Sequence, residues 1–165
     1  MDQLTAEEMF NLAANGGYHT IALESIGLAN TEDADGPTGI HSNYNEGAGI
    51  NYPSAVMLAN TWNQELAKQK GERIGKEAKE LGITGWYGPG MNIHRSAFSG
   101  RNFEYYSEDA LLSGKMGAAM VRGCNEKNVY TYIKHFALND QETNAIGGAN
   151  WCNEQAMREI YLKTV

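Results

Sequence analysis

Three stretches of this chain gather charged, amide and imidazole side chains, the groups that hydrogen-bond a polar ligand or move protons. The first, "DADGP", holds Asp33 and Asp35. The second, "MNIHRSAFSGRNFEYYSED", holds Asn92, His94, Arg95, Arg101, Glu104, Glu108 and Asp109. The third, "KHFALNDQET", holds Lys134, His135, Asn139, Asp140 and Glu142. Taken singly, each has a plainer reading. Asp35-Gly36-Pro37 is a turn signal. Arg95 and Arg101 suit surface ion pairs. Lys134 suits a solvated strand end, and His135 a hydrogen-bonded structural histidine. Glu108 and Asp109 suit a helix N-terminus, where the dipole favours negative charge. What raises the signal is position. Each cluster follows an apolar run that reads as a strand, and in parallel sheets the strand C-termini form one rim on which sites are built.

Other chemistries fit poorly. His19, His41, His94 and His135 lack the H-x-x-x-H spacing of a zinc site, so no metal is expected. No glycine-rich phosphate or dinucleotide loop opens a helix, so no cofactor is expected. Cys124 and Cys152 fit no metal or redox spacing and read as structural thiols. A net charge of −7 without basic blocks argues against nucleic acid and anionic membrane surfaces. No run of 18 apolar residues occurs. The first residues, "MDQLTAEEMF", lack the basic and apolar regions of a signal peptide, which favours a cytoplasmic location.

The elements that must position these clusters follow from periodicity. "TAEEMFNLAAN" reads as a helix with a Thr5–Glu8 capping box, closed by Gly16-Gly17. "ESIGLANTEDADGPTGI" reads as a strand ending in a loop. Residues 61–81 form a helical pattern, with Thr61 and Gln64 as a second capping box and Gly82 as its stop. Gly71 and Gly75 share one face, which suggests close packing against a sheet. "ITGWYGPGMNIH" is a second strand and loop. Ser107 is expected to cap a long helix reaching about residue 126, with Leu112, Met116, Ala119, Met120 and Gly123 inward. "NVYTYIKHFAL" is a third strand. "NEQAMREIYLKTV" is a third helix capped by Asn153, with Met157, Ile160, Tyr161 and Val165 on one face. Trp62, Trp86 and Trp151 fit the core more readily than an exposed platform. Strands alternating with helices argue for parallel βα units in one domain, residues 1–165, in either a doubly wound sheet or a (β/α)8 barrel. The 165 residues fall short of the roughly 250 of a closed (β/α)8 barrel.

The order and wording of these motifs resemble glycoside hydrolase family 3, the β-glucosidase family, in its N-terminal barrel domain. The matching stretches are "DGPTGI" (35–40), "YPSAVMLANTWNQELAKQKGERIGKEAKELGI" (52–83), "GPGMNIHRSAFSGRNFEYYSEDALLSGKMGAAMVRG" (88–123), "KHFALNDQETN" (134–144) and "NEQAMREIYL" (153–162). The resemblance implies an α/β fold, an incomplete (β/α)8 TIM-type barrel of roughly the first three to four βα units. It implies that the chain is part of a retaining β-glucosidase acting on terminal non-reducing β-D-glucosyl residues. By the same resemblance Asp35, Arg101, Lys134 and His135 bind the sugar hydroxyls, with Asn92 and Arg95 in support.

The family's nucleophile is an aspartate in an S-D-W-type motif, which this sequence lacks; it is expected beyond Val165. The acid/base glutamate comes from a second, α/β sandwich domain. The chain is therefore expected to hold sugar without hydrolysing it, and its open sheet edges are expected to self-associate. Because consecutive strand residues face opposite sides, Lys134 and His135 can meet one sugar only if the alternation breaks. The resemblance implies a cis Lys134–His135 bond in an intact barrel, relaxing to trans in a chain of this length. Two positions depart from the family: His41 and Ala145 stand where arginines are common. Alternatives are a non-catalytic sugar-binding module and a β-xylosidase of the same family.

Overall fold

The computed structural model describes residues 3–41 and 49–165; residues 1–2, where the segment read for a signal peptide begins, lie outside it. Four strands form one sheet in the order β1 (His19–Thr20), β2 (Thr31–Asp35), β3 (Gly85–Tyr87) and β4 (Tyr130–Thr131). β2, β3 and β4 run parallel, with Asp33, Ala34 and Asp35 opposite Gly85, Trp86 and Tyr87, and Gly85 opposite Tyr130. This is the expected βα order. β1, which pairs antiparallel to β2, had no sequence signal because it is two residues long. α3 and α4, the two long helices described below, pack against the sheet, the arrangement of an incomplete (β/α)8-type barrel. Among the described residues the sheet does not close.

Helix α1 (Ala6–Ala14) begins at the expected capping box: Thr5 Oγ1 accepts from Glu8 N, and Thr5 N donates to Glu8 Oε2 at 2.8 Å. The pattern over 61–81 is α3 (Gln64–Glu80), which starts three residues later than expected, and a separate short helix, α2 (Ala55–Ala59), precedes it. Thr61 does not cap α3. Its hydroxyl donates to Leu58 O at 2.6 Å as the chain leaves α2, and the backbone turns through Trp62 at φ 54°. Asn63 is the cap, accepting from Leu66 N at 3.0 Å. α4 (Ala110–Asn125) is capped by Asp109, which accepts from Leu112 N at 2.7 Å. Ser107 instead closes the turn before it, accepting from Asp109 N. After α4 the chain ends in α5 (Glu154–Ala156), a π-type turn (Met157–Tyr161) and a 3-10 turn (Leu162–Thr164). Asn153 caps α5 as expected, and Tyr161 is buried, but Ile160 and Val165 are exposed. The changed helical pitch rotates those two side chains out of the stripe an α-helix would give.

The main core lies between the sheet and the α3–α4 pair and includes Ile74, Ala78, Trp86, Met116, Met120 and Val129. Trp86 is wholly buried, whereas Trp62 and Trp151 are exposed, so only one of the three tryptophans serves the core. Gly71 and Gly75 face α4, not the sheet. A Cβ on Gly71 would sit 2.2 Å from Met120 O, and one on Gly123 would sit 2.2 Å from Lys68 O. Small residues let the two backbones cross closely. Cys124 sits in the same seam, donating to Gly71 O at 3.2 Å, and burial pushes its thiol up to about 12. An unreactive, structural thiol is the result.

Candidate functional site

Asp35, the last residue of β2, is aimed by the turn that follows. Gly36 has φ +113°, and a Cβ there would meet Gly39 O at 1.8 Å, so the turn requires glycine. The Trp86 indole donates to Gly36 O at 2.8 Å and pins that turn to the core. The Gly36 N–H donates to Asp35 Oδ1 at 2.7 Å.

Lys134 follows β4 and bridges to the continuation of β3. Its N–H donates to Pro89 O at 3.1 Å, and its carbonyl accepts from Met91 N at 2.5 Å. The Lys134–His135 bond is cis, as are Gly88–Pro89 and Phe136–Ala137. The expected relaxation to trans is not found in this chain. The neighbour that grips the Lys134 backbone is β3's own extension, present within the described residues. Both side chains turn to one site. Lys134 Nζ donates to Asp35 Oδ1 at 2.6 Å. The His135 ring meets Tyr105 and Asn139.

The "GRNFE" segment supplies the third wall. It folds as a 3-10 turn (Asn102–Glu104), tied down by His94, whose Nε2 lies 2.8 Å from Asn102 O and 3.0 Å from Tyr105 O. His94 is thus a structural histidine. Arg101 pairs with Glu104, a carboxylate only 3 % exposed, and Glu104 Oε2 also lies 4.0 Å from Lys134 Nζ. Asp35, Lys134, Glu104 and Arg101 therefore alternate in sign. Burial pushes the Asp35 carboxyl up, but the Lys134 hydrogen bond and charge, the Gly36 N–H and Arg101 outweigh it and hold it below the usual range. Arg101 is the mirror case: burial works against its charge, and Glu104 more than restores it.

His135 Nδ1 lies 2.8 Å from the Tyr105 hydroxyl and 3.2 Å from Asn139 Nδ2, and Asn139 Nδ2 also donates to Tyr105 OH at 2.8 Å. Burial, followed by the charges of Arg101 and Lys134, pushes the imidazole down to about 4. Asn92 is buried beneath, its amide fitting with the NH2 donating to His135 O and the oxygen accepting from Asn139 N, both at 2.7 Å. The structure thus brings Asp35, Arg101, Lys134 and His135 into one cluster, with Asn92 as support. Arg95 lies elsewhere. Its guanidinium pairs with Asp140 at 3.2 Å and lines a polar cleft of about 550 Å³ with Ser99, Glu142 and Asn150. The substituted positions His41 and Ala145 are both exposed. Tyr105 gave no sequence signal, since "EYY" offers two tyrosines, both buried, and only the structure separates Tyr106, in the main core, from Tyr105, whose hydroxyl meets His135. Glu104 and Asn139 stood in the polar clusters, but nothing in their spacing set them apart.

Asp33, two residues before Asp35, has a different role. It is buried and accepts from the Tyr130 hydroxyl at 2.7 Å and the Tyr132 hydroxyl at 3.0 Å. Tyr132 stacks on Tyr87 at 4.4 Å between ring centroids. These contacts knit the strands together deeper on the same sheet face.

Comparisons with known proteins bear on the family of the chain. Residues 16–164 match the model of the glycosyl hydrolase family 3 N terminal domain. The chain is 45% identical over 142 residues to beta-glucosidase A of Butyrivibrio fibrisolvens, covering 86% of this chain and 17% of that protein. The GH3 beta-glucosidase of Bifidobacterium adolescentis superposes with a TM-score of 0.88 at 36% identity, over 99% of this chain and 24% of its own. Beta-glucosidase 3B of Thermotoga neapolitana, solved in complex with alpha-D-glucose, gives 0.78 at 39% identity, over 88% of this chain and 21% of its own. The chain thus spans about a fifth of the length of these relatives. It belongs to glycosyl hydrolase family 3 and carries part of the family's N-terminal domain.

Proposed function

We propose that this chain is the sugar-holding part of a retaining β-glucosidase that removes terminal non-reducing β-D-glucosyl residues. The observation that carries the reading is the alternating cluster Asp35–Lys134–Glu104–Arg101, with His135 beside it. A pyranose is uncharged but offers several hydroxyls, each both donor and acceptor. Asp35 is held ionised and accepts from them. Lys134 and Arg101 donate to neighbouring oxygens. Hydrogen bonds to charged partners contribute about 1.5–3 kcal/mol each. Those that tighten as the ring becomes oxocarbenium-like also lower the barrier.

Retaining hydrolysis needs two carboxyl groups flanking the scissile bond. We assign the nucleophile and the acid/base to parts of a longer protein outside this chain, the latter to a second domain. On this reading the 165-residue chain binds D-glucose and leaves an aryl β-glucoside intact. Incubating the purified chain with such a substrate tests this. Turnover that belongs to the chain itself, lost on substitution within it, would refute the division of labour. Absence of both binding and turnover would favour an inert module. Preference for D-xylose over D-glucose, which differ by the hydroxymethyl group, would move the assignment to a β-xylosidase.

A further inference from the structure

We propose that Tyr105 and Asn139 are positioning residues that fix the tautomer of His135, so that the ring carries its proton on Nε2 and presents an N–H to the sugar. The sugar half of this statement rests on the function proposed above; the tautomer half does not.

The argument starts at Nδ1. Two groups approach it: the Tyr105 hydroxyl at 2.8 Å and the Asn139 amide nitrogen at 3.2 Å. An amide NH2 can only donate. A proton on Nδ1 would point at that NH2, leaving two donors face to face. Nδ1 must therefore be the bare, accepting nitrogen. The Tyr105 hydroxyl then completes a consistent set: it accepts from Asn139 Nδ2 at 2.8 Å and donates its own proton to Nδ1. With Nδ1 accepting, a neutral ring carries its proton on Nε2.

The triangle is built rather than incidental. Asn92, buried beneath it, ties the His135 carbonyl to the Asn139 backbone N–H, fixing the distance between ring and amide. Tyr105 is itself buried, and burial raises its hydroxyl to about 12, which keeps it a neutral donor. The charged groups around the ring are Arg101, Lys134, Glu104 and Asp35. The two cations oppose a third positive charge, and burial opposes it further, so the ring stays neutral well into acid. Among the described residues Nε2 takes no protein partner, so its N–H is free for a ligand oxygen. The site then has one fixed anionic acceptor, Asp35, and three fixed donors, Lys134, Arg101 and His135. A hydroxyl can meet this pattern in only one orientation, which is how a buried polar site discriminates between sugars.

The test is nitrogen-15 NMR on the histidine-labelled chain, with the His135 signals assigned by their loss in His135→Gln. The expected spectrum at neutral pH shows a bare Nδ1 and a protonated Nε2, with a titration midpoint near 4. Asn139→Asp replaces a donor at Nδ1 by an acceptor. It is expected to bring a proton onto Nδ1, to raise the midpoint by more than about one pH unit, and to weaken D-glucose binding by about tenfold. A purely structural role for Asn139 moves neither tautomer nor midpoint. Tyr105→Phe, which keeps the ring packing, leaves one donor on Nδ1 and is expected to give mixed tautomers. A wild-type spectrum with the proton on Nδ1, or an Asn139→Asp chain with unchanged tautomer and midpoint, overturns the proposal. The spectra need no sugar. An Nε2–H tautomer in a chain that binds no glucose would uphold the positioning role and remove the sugar reading. Glucose binding with the proton on Nδ1 would do the reverse.

Discussion

Lys134 Nζ lies 2.6 Å from Asp35 Oδ1, across 99 residues of sequence. The pair joins the ends of β2 and β4, two strands that do not touch each other in the sheet; β3 lies between them. It therefore spans the rim of the sheet and defines the width of the site. Glu104 and Arg101 then extend it along the 3-10 segment.

Removing the cation exposes what it does. In Lys134→Ala, Asp35 loses its hydrogen bond and nearest positive charge but keeps its burial, which acts in the opposite direction. The Asp35 carboxyl should then titrate at or above the ordinary carboxylate range. Carbon-13 NMR of the labelled side chain reads this directly, and an unchanged midpoint would show that the pair is not what holds Asp35 ionised.

Glu104 is the anchor of the two cations. Glu104→Gln keeps the shape but leaves Arg101 only the more exposed Glu142, 4.0 Å away, as a counter-charge. Breaking a buried pair from one side costs about 3–5 kcal/mol, and less here because Arg101 is partly exposed. A urea melt should show a loss of roughly 1–3 kcal/mol. A variant as stable as wild type would mean that the ion pair contributes little to the fold.

Much of this was legible before any coordinates. The parallel βα order, the Thr5–Glu8 box and the Asn153 cap follow from residues whose role is local or whose spacing is periodic, whereas the grouping of Asp35, Arg101, Lys134 and His135 came from the family resemblance. What was not legible depends on tertiary neighbours. α2 precedes the helical pattern and a turn at Trp62 separates it from α3, which no periodicity of α3 foretells. Gly71 and Gly75 announce a close approach but not the partner, which is α4 and not the sheet. Arg95 and Arg101 look alike in sequence, and only the fold sends one to Asp140 and the other to Glu104.

The α3–α4 crossing makes a sharp prediction about stability. Alanine is favoured over glycine by about 1 kcal/mol within a helix. At Gly71, however, its methyl would lie 2.2 Å from a backbone oxygen that cannot swing aside. Gly71→Ala should destabilise by about 1–3 kcal/mol, as overpacking does, shown by a lower urea midpoint. A raised midpoint would mean that the helices are free to part.

Acid should weaken the fold through the site itself. His135 has a folded value near 4 against about 6.5 when free, so between those pH values the unfolded chain takes up a proton that the folded one refuses. Stability therefore falls as pH drops from about 6.5 to about 4. Asp35, held low when folded, adds stability above its ordinary value that is lost as pH falls further through its folded value. With allowance for a half-exposed ring, the His135 contribution is on the order of 1–2 kcal/mol. Urea melts at pH 7 and pH 5 should differ by that much in wild type and by less in His135→Gln; equal differences would dismiss the coupling.

The measurement that bears most directly on the central claim is calorimetric titration of D-glucose into the chain and into two aspartate variants. Asp35 belongs to the cluster, whereas Asp33 is occupied by the Tyr130 and Tyr132 hydroxyls. Loss of one charged hydrogen bond of about 1.5–3 kcal/mol corresponds to roughly ten- to a hundredfold in affinity. The account predicts one glucose per chain, weakened at least about tenfold by Asp35→Asn and little changed by Asp33→Asn in the folded fraction. Equal losses in the two variants, or glucose binding indifferent to both, would contradict it.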